Sequence, residues 1–335
     1  MKPGDFSYAR VLVTGGAGFI GSALVWALNQ RGCENIVVCD ILGTNEKWRN
    51  LTPLRFADYV EAEALLPRLQ SGGLGKFDLV LHLGACSATT EKDATYLIKN
   101  NYEFTRDLAH WSLANKARFV YASSAATYGD GSAGMEDDDS RLDTLRPLNM
   151  YGYSKHLFDL HAKRAGILNK IVGLKYFNVF GPNEDHKGDM RSLVHKSFAQ
   201  VQNEGVIRLF KSYRKEFQNG EQKRDFLYIK DCVAMTLHLA ATSKANGLFN
   251  IGSGHARTWI DLSNAVFAAL KKKPVIKFIE MPETIRDKYQ YFTQANLLRL
   301  RGAGYAAPVT SLENAVFDYV RRYLVLDKRL DPSVV

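Results

Sequence analysis

Tyr151 and Lys155 stand four residues apart in "NMYGYSKHLFDL" (149–160). On a helix such positions share a face, whereas Tyr153, two residues before the lysine, points elsewhere. A phenol titrates at roughly 10 and makes a poor base at neutral pH, but a close ammonium favours the phenolate and shifts that value down. Lys155 supplies the ammonium. Ser124, in "YASSAATYG" (121–129), closes an apolar run and is suited to hydrogen-bond the substrate oxygen whose proton Tyr151 takes. Tyr151, Lys155 and Ser124 together make a proton-transfer site of the kind that works beside a nicotinamide.

A place for that nicotinamide's carrier lies near the start of the chain. "RVLVTGGAGFIGSALV" (10–25) sets Gly15, Gly18 and Gly21 at three-residue intervals between a strand and a helix. A pyrophosphate needs a turn without Cβ atoms, close approach of the backbone, and N–H groups at a helix N-terminus. Asp40, 19 residues after Gly21, falls where a carboxylate accepts hydrogen bonds from an adenosine ribose, which favours NAD. Lys47 and Arg49 follow in "DILGTNEKWRN" (40–50) and are suited to neutralise a 2′-phosphate, which favours NADP. The residues leave both cofactors open.

These side chains need elements to hold them. The spacing predicts strands over 10–14, 35–40, 78–83, 118–123 and 170–176, with helices over 18–30, 93–115 and 150–167 between them. Alternating strands and helices mean an α/β fold with a Rossmann-type, doubly wound parallel sheet. After "FNVFGP" (177–182) the pattern loosens into helix (191–203), a polar stretch (211–225), a strand at 248–252 and helix (259–270). We therefore expect a dinucleotide-binding domain over 1–177 and a smaller C-terminal substrate-binding domain over 178–330, with part of that chain returning to the first. The acidic run "EDDDS" (136–140) reads as a solvated loop and the final "LDPSVV" as a frayed end.

Composition narrows the classes. With 335 residues, 46% hydrophobic and 24% charged, the chain has ordinary globular usage. Its start lacks a secretory pattern, and no apolar run is long enough for a membrane, so a cytoplasmic protein is expected. Cys33, Cys39, Cys86 and Cys232 lie far apart without metal or disulfide spacing and read as reduced packing residues; no metal is expected. The net charge of +9 is scattered, and clusters such as "KSYRK" and "KKK" lack interleaved aromatics. It favours an anionic small ligand over nucleic acid.

"TGGAGFIG", "SSAATYG", "YGYSK" and "YFNVFGP", in that order, make the chain resemble the extended short-chain dehydrogenase/reductase superfamily over nearly its whole length. Within it, "GACSATTEKD", "NNYEFTRDL", "GPNEDHKGDM", "KRDFLYIKD" and "YQYFTQANL" resemble the ADP-L-glycero-D-manno-heptose 6-epimerase family, nucleotide-sugar epimerases of lipopolysaccharide inner-core precursor synthesis. The resemblance implies epimerisation at C6″ of ADP-D-glycero-β-D-manno-heptose through a transient ketone on a retained NADP, with NAD the alternative. Two faces ask for two acid/base groups, and the family pattern makes them Tyr151 and Lys187, the lysine of "HKG". It implies cofactor contacts at Phe19, Ile20, Asp40, Ile41, Lys47, Leu83, Gly84, Ala85, Cys86, Ser87, Asn100, Lys155, Val179 and Lys187. It implies substrate contacts at Ser124, Asn178, Phe210, Arg224 and Tyr289, and a homo-oligomer, a pentamer by the family pattern.

Departures from that pattern fall on the substrate side. Asp189 holds the place of a small or basic residue, and Lys196, beside His195, that of a substrate-contacting histidine. Two other readings remain: a 4-epimerase or 4,6-dehydratase of another nucleotide sugar, and a nicotinamide-binding sensor or RNA-associated protein without catalysis. A dehydratase wants acidic residues next to the serine, where this chain has Ala125, Ala126 and Thr127; a pure binder has no need of Ser124, Tyr151 and Lys155 together.

Overall fold

Short runs rich in valine, isoleucine and leucine form the centre of the molecule, in a computed structural model that describes residues 6–286 and 289–334. Strands β1 (Val11–Thr14), β2 (Ile36–Asp40), β3 (Asp58–Glu61), β4 (Leu79–His82), β5 (Arg118–Ser124) and β6 (Val172–Tyr176) follow one another along the chain. Next come β7 (Asn178–Phe180), β8 (Ile207–Phe210), β9 (Lys223–Tyr228), β10 (Gly247–Ile251), β11 (Ala256–Thr258) and β12 (Ile276–Ile279). The main sheet has seven strands in the order β10-β6-β5-β4-β1-β2-β3, and every neighbouring pair is parallel. Because successive strand residues point to opposite faces, each strand feeds two cores. Val11, Val13, Ile36 and Val38 pack with Leu24 and Leu28 of helix α1 (Phe19–Asn29), while Leu12, Val37 and Val80 face the other side.

That other face is covered by α2 (Ala62–Gln70), α3 (Phe104–Ala114) and α4 (Met150–Arg164), through Leu65, Leu108 and Phe158. The helix expected over 93–115 is present over 94–114 but changes its hydrogen-bond pattern midway. Ile98–Glu103 adopt a π-helical turn between two α-helical pieces. The unit β3–α2 and helix α6 (Ile229–Ala241) escaped the periodicity for opposite reasons. In "DYVE" only Val60 is buried and α2 contains Pro67, whereas α6 is buried on nearly every side and shows no polar stripe. The remaining elements include helices α5 (Leu193–Glu204) and α7 (Trp259–Leu270), a small sheet β11-β9-β7, and the parallel pair β12-β8. Part of the stretch expected to be polar and irregular is thus strand, since β9 begins at Lys223.

Two expectations of disorder are corrected. The acidic run is solvated only at Glu136, Asp138 and Ser140, while Asp137 is buried and Asp139 half-buried. Asp137 Oδ2 accepts the Asn250 N–H at 2.8 Å, and Asp139 accepts the Leu248 N–H at 3.2 Å while holding both terminal nitrogens of Arg299 at 2.9 Å. The run therefore covers the free edge of β10, whose backbone donors would otherwise be unpaired. The segment expected to fray is anchored at its start: Leu330 is buried in the core and its N–H is bonded to Asn183 Oδ1 at 3.0 Å, while Ser333 and Val334 are exposed and Val335 lies outside the described residues.

Beneath the ends of β5 and β6 lies a fully buried ion pair. Lys175 Nζ donates to Asp159 Oδ2 at 3.1 Å and to Thr127 Oγ1 at 2.6 Å, and Asp159 also accepts the hydroxyls of Tyr121 and Ser123, each at 2.8 Å. Asp159→Asn or Lys175→Met alone strands the opposite charge and is expected to cost about 3–5 kcal/mol in urea unfolding. The double variant should recover most of that loss. If its loss equals the sum of the two single losses, the ion pair itself contributes nothing.

Candidate active site

The strand order reverses between β1 and β4, and a crevice opens there at the carboxyl ends of the strands. Gly15, following β1, has φ +66°, and a Cβ there would lie 2.7 Å from the Gly84 nitrogen. The two turns therefore touch backbone to backbone, which only glycine permits. Gly18 opens α1, whose first turn has neither a side-chain cap nor an acidic residue. Its leading N–H groups remain available to an anion, so the cradle fits a pyrophosphate.

Asp40 holds this turn. Its Oδ2 accepts the N–H groups of Ala17 (2.9 Å) and Gly18 (3.1 Å), and its Oδ1 accepts the Ile41 N–H (2.7 Å) and Lys47 Nζ (2.9 Å). Four donors occupy the carboxylate's roughly four lone-pair sites, leaving none for a sugar hydroxyl. Arg49 lines neither cavity: it is half-exposed, 3.9 Å from both Glu46 and Asp327.

Two adjoining cavities, of about 490 and 740 Å³, share Gly15, Asp40, Lys47, Gly84, Ala85 and Cys86. The first is also lined by Gly18, Phe19, Ile20, Gly21, Leu83, Ser87, Val179 and Lys187, and by Ser124, Tyr151 and Lys155. The second is lined by Ile41 and Asn100. Cys86 is free and half-buried in this trough rather than a core packing residue, unlike Cys33, Cys39 and Cys232. Its backbone is gripped by a residue the sequence reading missed. Asn101 accepts the Cys86 N–H at 2.8 Å and donates to the Cys86 carbonyl at 3.0 Å and to Ser154 Oγ at 3.0 Å. It is the second residue of the quoted stretch "NNYEFTRDL" (100–108), but its residue type alone does not show that it grips the Cys86 backbone.

Ser124 closes β5, and Tyr151 sits in the first turn of α4, capped by the Asn149 side chain on the Gly152 N–H at 2.8 Å. A Cβ at position 152 would lie 2.8 Å from the Ala126 carbonyl oxygen, so Gly152 lets the helix start pack against the turn after Ser124. Tyr153 is 45% exposed and plays no part. Lys155 Nζ donates to the Ala122 carbonyl at 2.9 Å. Burial pushes its ammonium down from 10.5 to about 8, opposed by Asp159 and then Cys86. The downward shift expected for the Tyr151 phenol is not found: burial raises it, and the Ser124 hydrogen bond offsets only part of the rise.

Lys187 enters the same cavity from the loop Asp185–Met190, its Nζ 5.1 Å from the centre of the Phe19 ring. Burial lowers its titration, Glu184 opposes that and Lys196 reinforces it. His186 beside it is pushed down to about 4 by burial and then by Lys47 and Lys187, and contacts Asn50 Nδ2 at 3.3 Å. It is thus a neutral hydrogen-bonding partner.

Apart from Ser124, the expected substrate residues do not line either cavity. Arg224 is 5% exposed and lies 4.9 Å from the Tyr289 ring and 5.7 Å from that of Trp259, whose Nε1 donates to the Tyr289 hydroxyl. Among the described residues no carboxylate pairs with it. Asn178 meets only Thr293, at 3.4 Å, and Phe210 ends β8 half-buried. Asp189 is exposed and its backbone carbonyl accepts Lys196 Nζ at 2.5 Å, so these two departures from the family pattern contact each other.

Comparison with known proteins gives the family. Residues 11–252 match the NAD dependent epimerase/dehydratase family. The chain is 54% identical over 314 residues to the ADP-L-glycero-D-manno-heptose-6-epimerase of Nitratidesulfovibrio vulgaris, covering 93% of this chain and 97% of that one. It is 44% identical to the enzyme of the same name from Fusobacterium nucleatum, covering 94% and 98%. The crystal structure of the Helicobacter pylori ADP-L-glycero-D-manno-heptose-6-epimerase superposes with a TM-score of 0.80 at 27% identity, covering 95% and 96%.

Lys155 gives the site a measurable thermodynamic signature. The unfolded chain holds the lysine proton up to 10.5 and the folded one only to about 8. The burial cost is therefore fully present below about 8 and fades as pH rises from there to 10.5. Lys155→Met should be more stable than the parent at neutral pH by up to about 3 kcal/mol, with the difference shrinking across that window. A Lys155→Met variant that unfolds more easily than the parent at neutral pH would show that the Ala122 hydrogen bond outweighs desolvation.

Proposed function

The chain belongs to the NAD dependent epimerase/dehydratase family and, within it, to the ADP-L-glycero-D-manno-heptose-6-epimerases; on that premise we propose that it interconverts ADP-D-glycero-β-D-manno-heptose and ADP-L-glycero-β-D-manno-heptose by inverting C6″. The observation that carries this reading is that one cavity is lined by Tyr151 with Ser124 and Lys155, and by Lys187 from another element, side chains that suit two separate proton transfers. An enzyme that only oxidised or reduced one face would need the first alone.

A bound nicotinamide supplies a hydride acceptor for C6″ and then a hydride donor to the resulting ketone, so net redox is zero. Ser124 hydrogen-bonds the C6″ oxygen. Tyr151 moves its proton when one face reacts, aided by the Lys155 ammonium, and Lys187 does so for the opposite face. The aromatic-flanked, carboxylate-free guanidinium of Arg224 suits the diphosphate, which it can grip with parallel hydrogen bonds. NADP is the cofactor in this reading, because the Asp40 carboxylate is saturated and Lys47 already stands beside it to meet a 2′-phosphate. The same reading has the protein working in the cytoplasm on lipopolysaccharide inner-core precursors, as a homo-oligomer.

Three outcomes test it. Proton NMR of ADP-D-glycero-β-D-manno-heptose with the purified protein and no added cofactor should show both C6″ epimers; an unchanged spectrum even with NADP supplied would redirect the assignment to another nucleotide sugar. Tyr151→Phe and Lys187→Met should each lose about 10²–10⁴-fold in epimerisation while retaining cofactor, and unaltered rates in both would remove the two-group mechanism. Lys47→Ala should weaken NADP by about 1.5–3 kcal/mol and leave NAD binding nearly as before, measured by calorimetry; equal losses for both would place the 2′-phosphate elsewhere.

A further inference from the structure

The loop that carries Lys187 is held from outside the cofactor layer. Its first residues, Asn183 to Asp185, are bound on one side by Asn50, whose Nδ2 donates to the carbonyls of Ala17 at 3.0 Å and Asn183 at 3.1 Å. Asn50 thereby joins the loop to the glycine turn. On the other side stand two residues from the far end of the chain. Leu330 N–H donates to Asn183 Oδ1 at 3.0 Å, and Arg329 Nε lies 3.3 Å from Asp185 Oδ2. Asn183 is fully buried with φ +78°, a conformation costly for a residue with a Cβ, so its place must be over-determined by its surroundings. Its Nδ2 is also engaged, on Ser22 Oγ at 3.0 Å.

Downstream, Gly188 follows Lys187 with φ +53°, and Gly188 and Asp189 are exposed. Their carbonyls accept Arg191 Nε at 2.7 Å and Lys196 Nζ at 2.5 Å, contacts with neighbours close in sequence. Lys187 is thus held locally on that side, and from the distant end of the chain only through Asn183 and Asp185. His195 Nε2 meets Asp185 Oδ1 at 3.1 Å, so Arg329 and His195 hold the two oxygens of one carboxylate.

We propose that Arg329 and Leu330 form a strap that positions Lys187 over the cofactor cavity, making Arg329 a positioning residue for one of the two proton transfers and not for the other. This rests on the reading of Lys187 as the second acid/base group. The asymmetry follows from geometry: Tyr151 and Lys155 are fixed by β5 and α4, which Arg329 does not touch, while Lys187 depends on the strapped loop.

The test uses the full chain with Arg329→Met, which keeps the aliphatic stem and removes the charge, Arg329→Lys as the conservative rescue, and Lys187→Met as reference. The two C6″ epimers of ADP-heptose are supplied separately, and the first-turnover rate of reduced-nicotinamide fluorescence is read for each. Lys187→Met should slow one epimer only. Arg329→Met should slow that same epimer by about tenfold or more and leave the other unchanged, with Arg329→Lys restoring most of the rate. Trypsin cleavage of the native protein after Lys187 should quicken in Arg329→Met and not in Arg329→Lys. Lys187→Met behaving as wild type for both epimers would overturn the acid/base reading and the proposal with it. An impaired Lys187→Met beside a normal Arg329→Met, or equal slowing of both epimers by Arg329→Met, would overturn the strap alone.

Discussion

The carboxylate of Asp40 is the point on which the crevice depends. Glycines at 15, 18 and 21 let the backbone come close to whatever lies in front of it, but the same freedom costs order. Four donors converging on one buried carboxylate restore that order. They tie the end of β2 to the turn after β1 and to the loop bearing Lys47. Because β4 is the other neighbour of β1, the Gly84 backbone is then fixed against Gly15, and the floor of the cavity follows from the sheet order.

Around that floor, buried cations fall into two kinds. Lys175 has a buried carboxylate in contact and belongs to the architecture. Lys155, Lys187 and Arg224 do not: the first leans on a carbonyl, the second on a phenyl face and the third between aromatic rings. Burial lowers the titration of all three. Folding thus carries a standing electrostatic cost at the site, of the kind that anionic ligands relieve. The same distinction explains why Tyr151 does not titrate low, since a site poor in water and in unpaired anions raises a phenol as it lowers an ammonium.

Much of this was legible in the residues. The glycine spacing, the Tyr151–Lys155 interval and the strand–helix alternation are local patterns, and local patterns survive folding. What was hidden depends on partners far along the chain. The run 136–140 looks solvated because acidic residues usually are, yet Asp137 and Asp139 find the edge of β10 more than a hundred positions later. Asp40 was placed correctly in the crevice, but its saturation by Ala17, Gly18, Ile41 and Lys47 is a property of three-dimensional packing. Asn101 and Asn183, both fully buried, stand inside the quoted stretches 100–108 and 181–190, but the groups they bind were hidden because a buried asparagine is defined by what surrounds it. The polar loop at 211–222 and the strand that follows it were blurred together, since β9 opens with the charged triplet Lys223, Arg224 and Asp225.

The hydrogen bond from Leu330 to Asn183 spans 147 positions of sequence. A ribosome releases the glycine turn, Tyr151 and Lys155 long before it releases Leu330, and β10 also arrives only after helix α4 is made. During synthesis the glycine turn and α4 therefore exist before the residue that holds Asn183, and the loop bearing Lys187 gains that hydrogen bond only after the seven-stranded sheet has all its strands. The same late segment reaches back to the end of α1, where the Gln30 side chain bonds the Pro332 carbonyl at 2.9 Å.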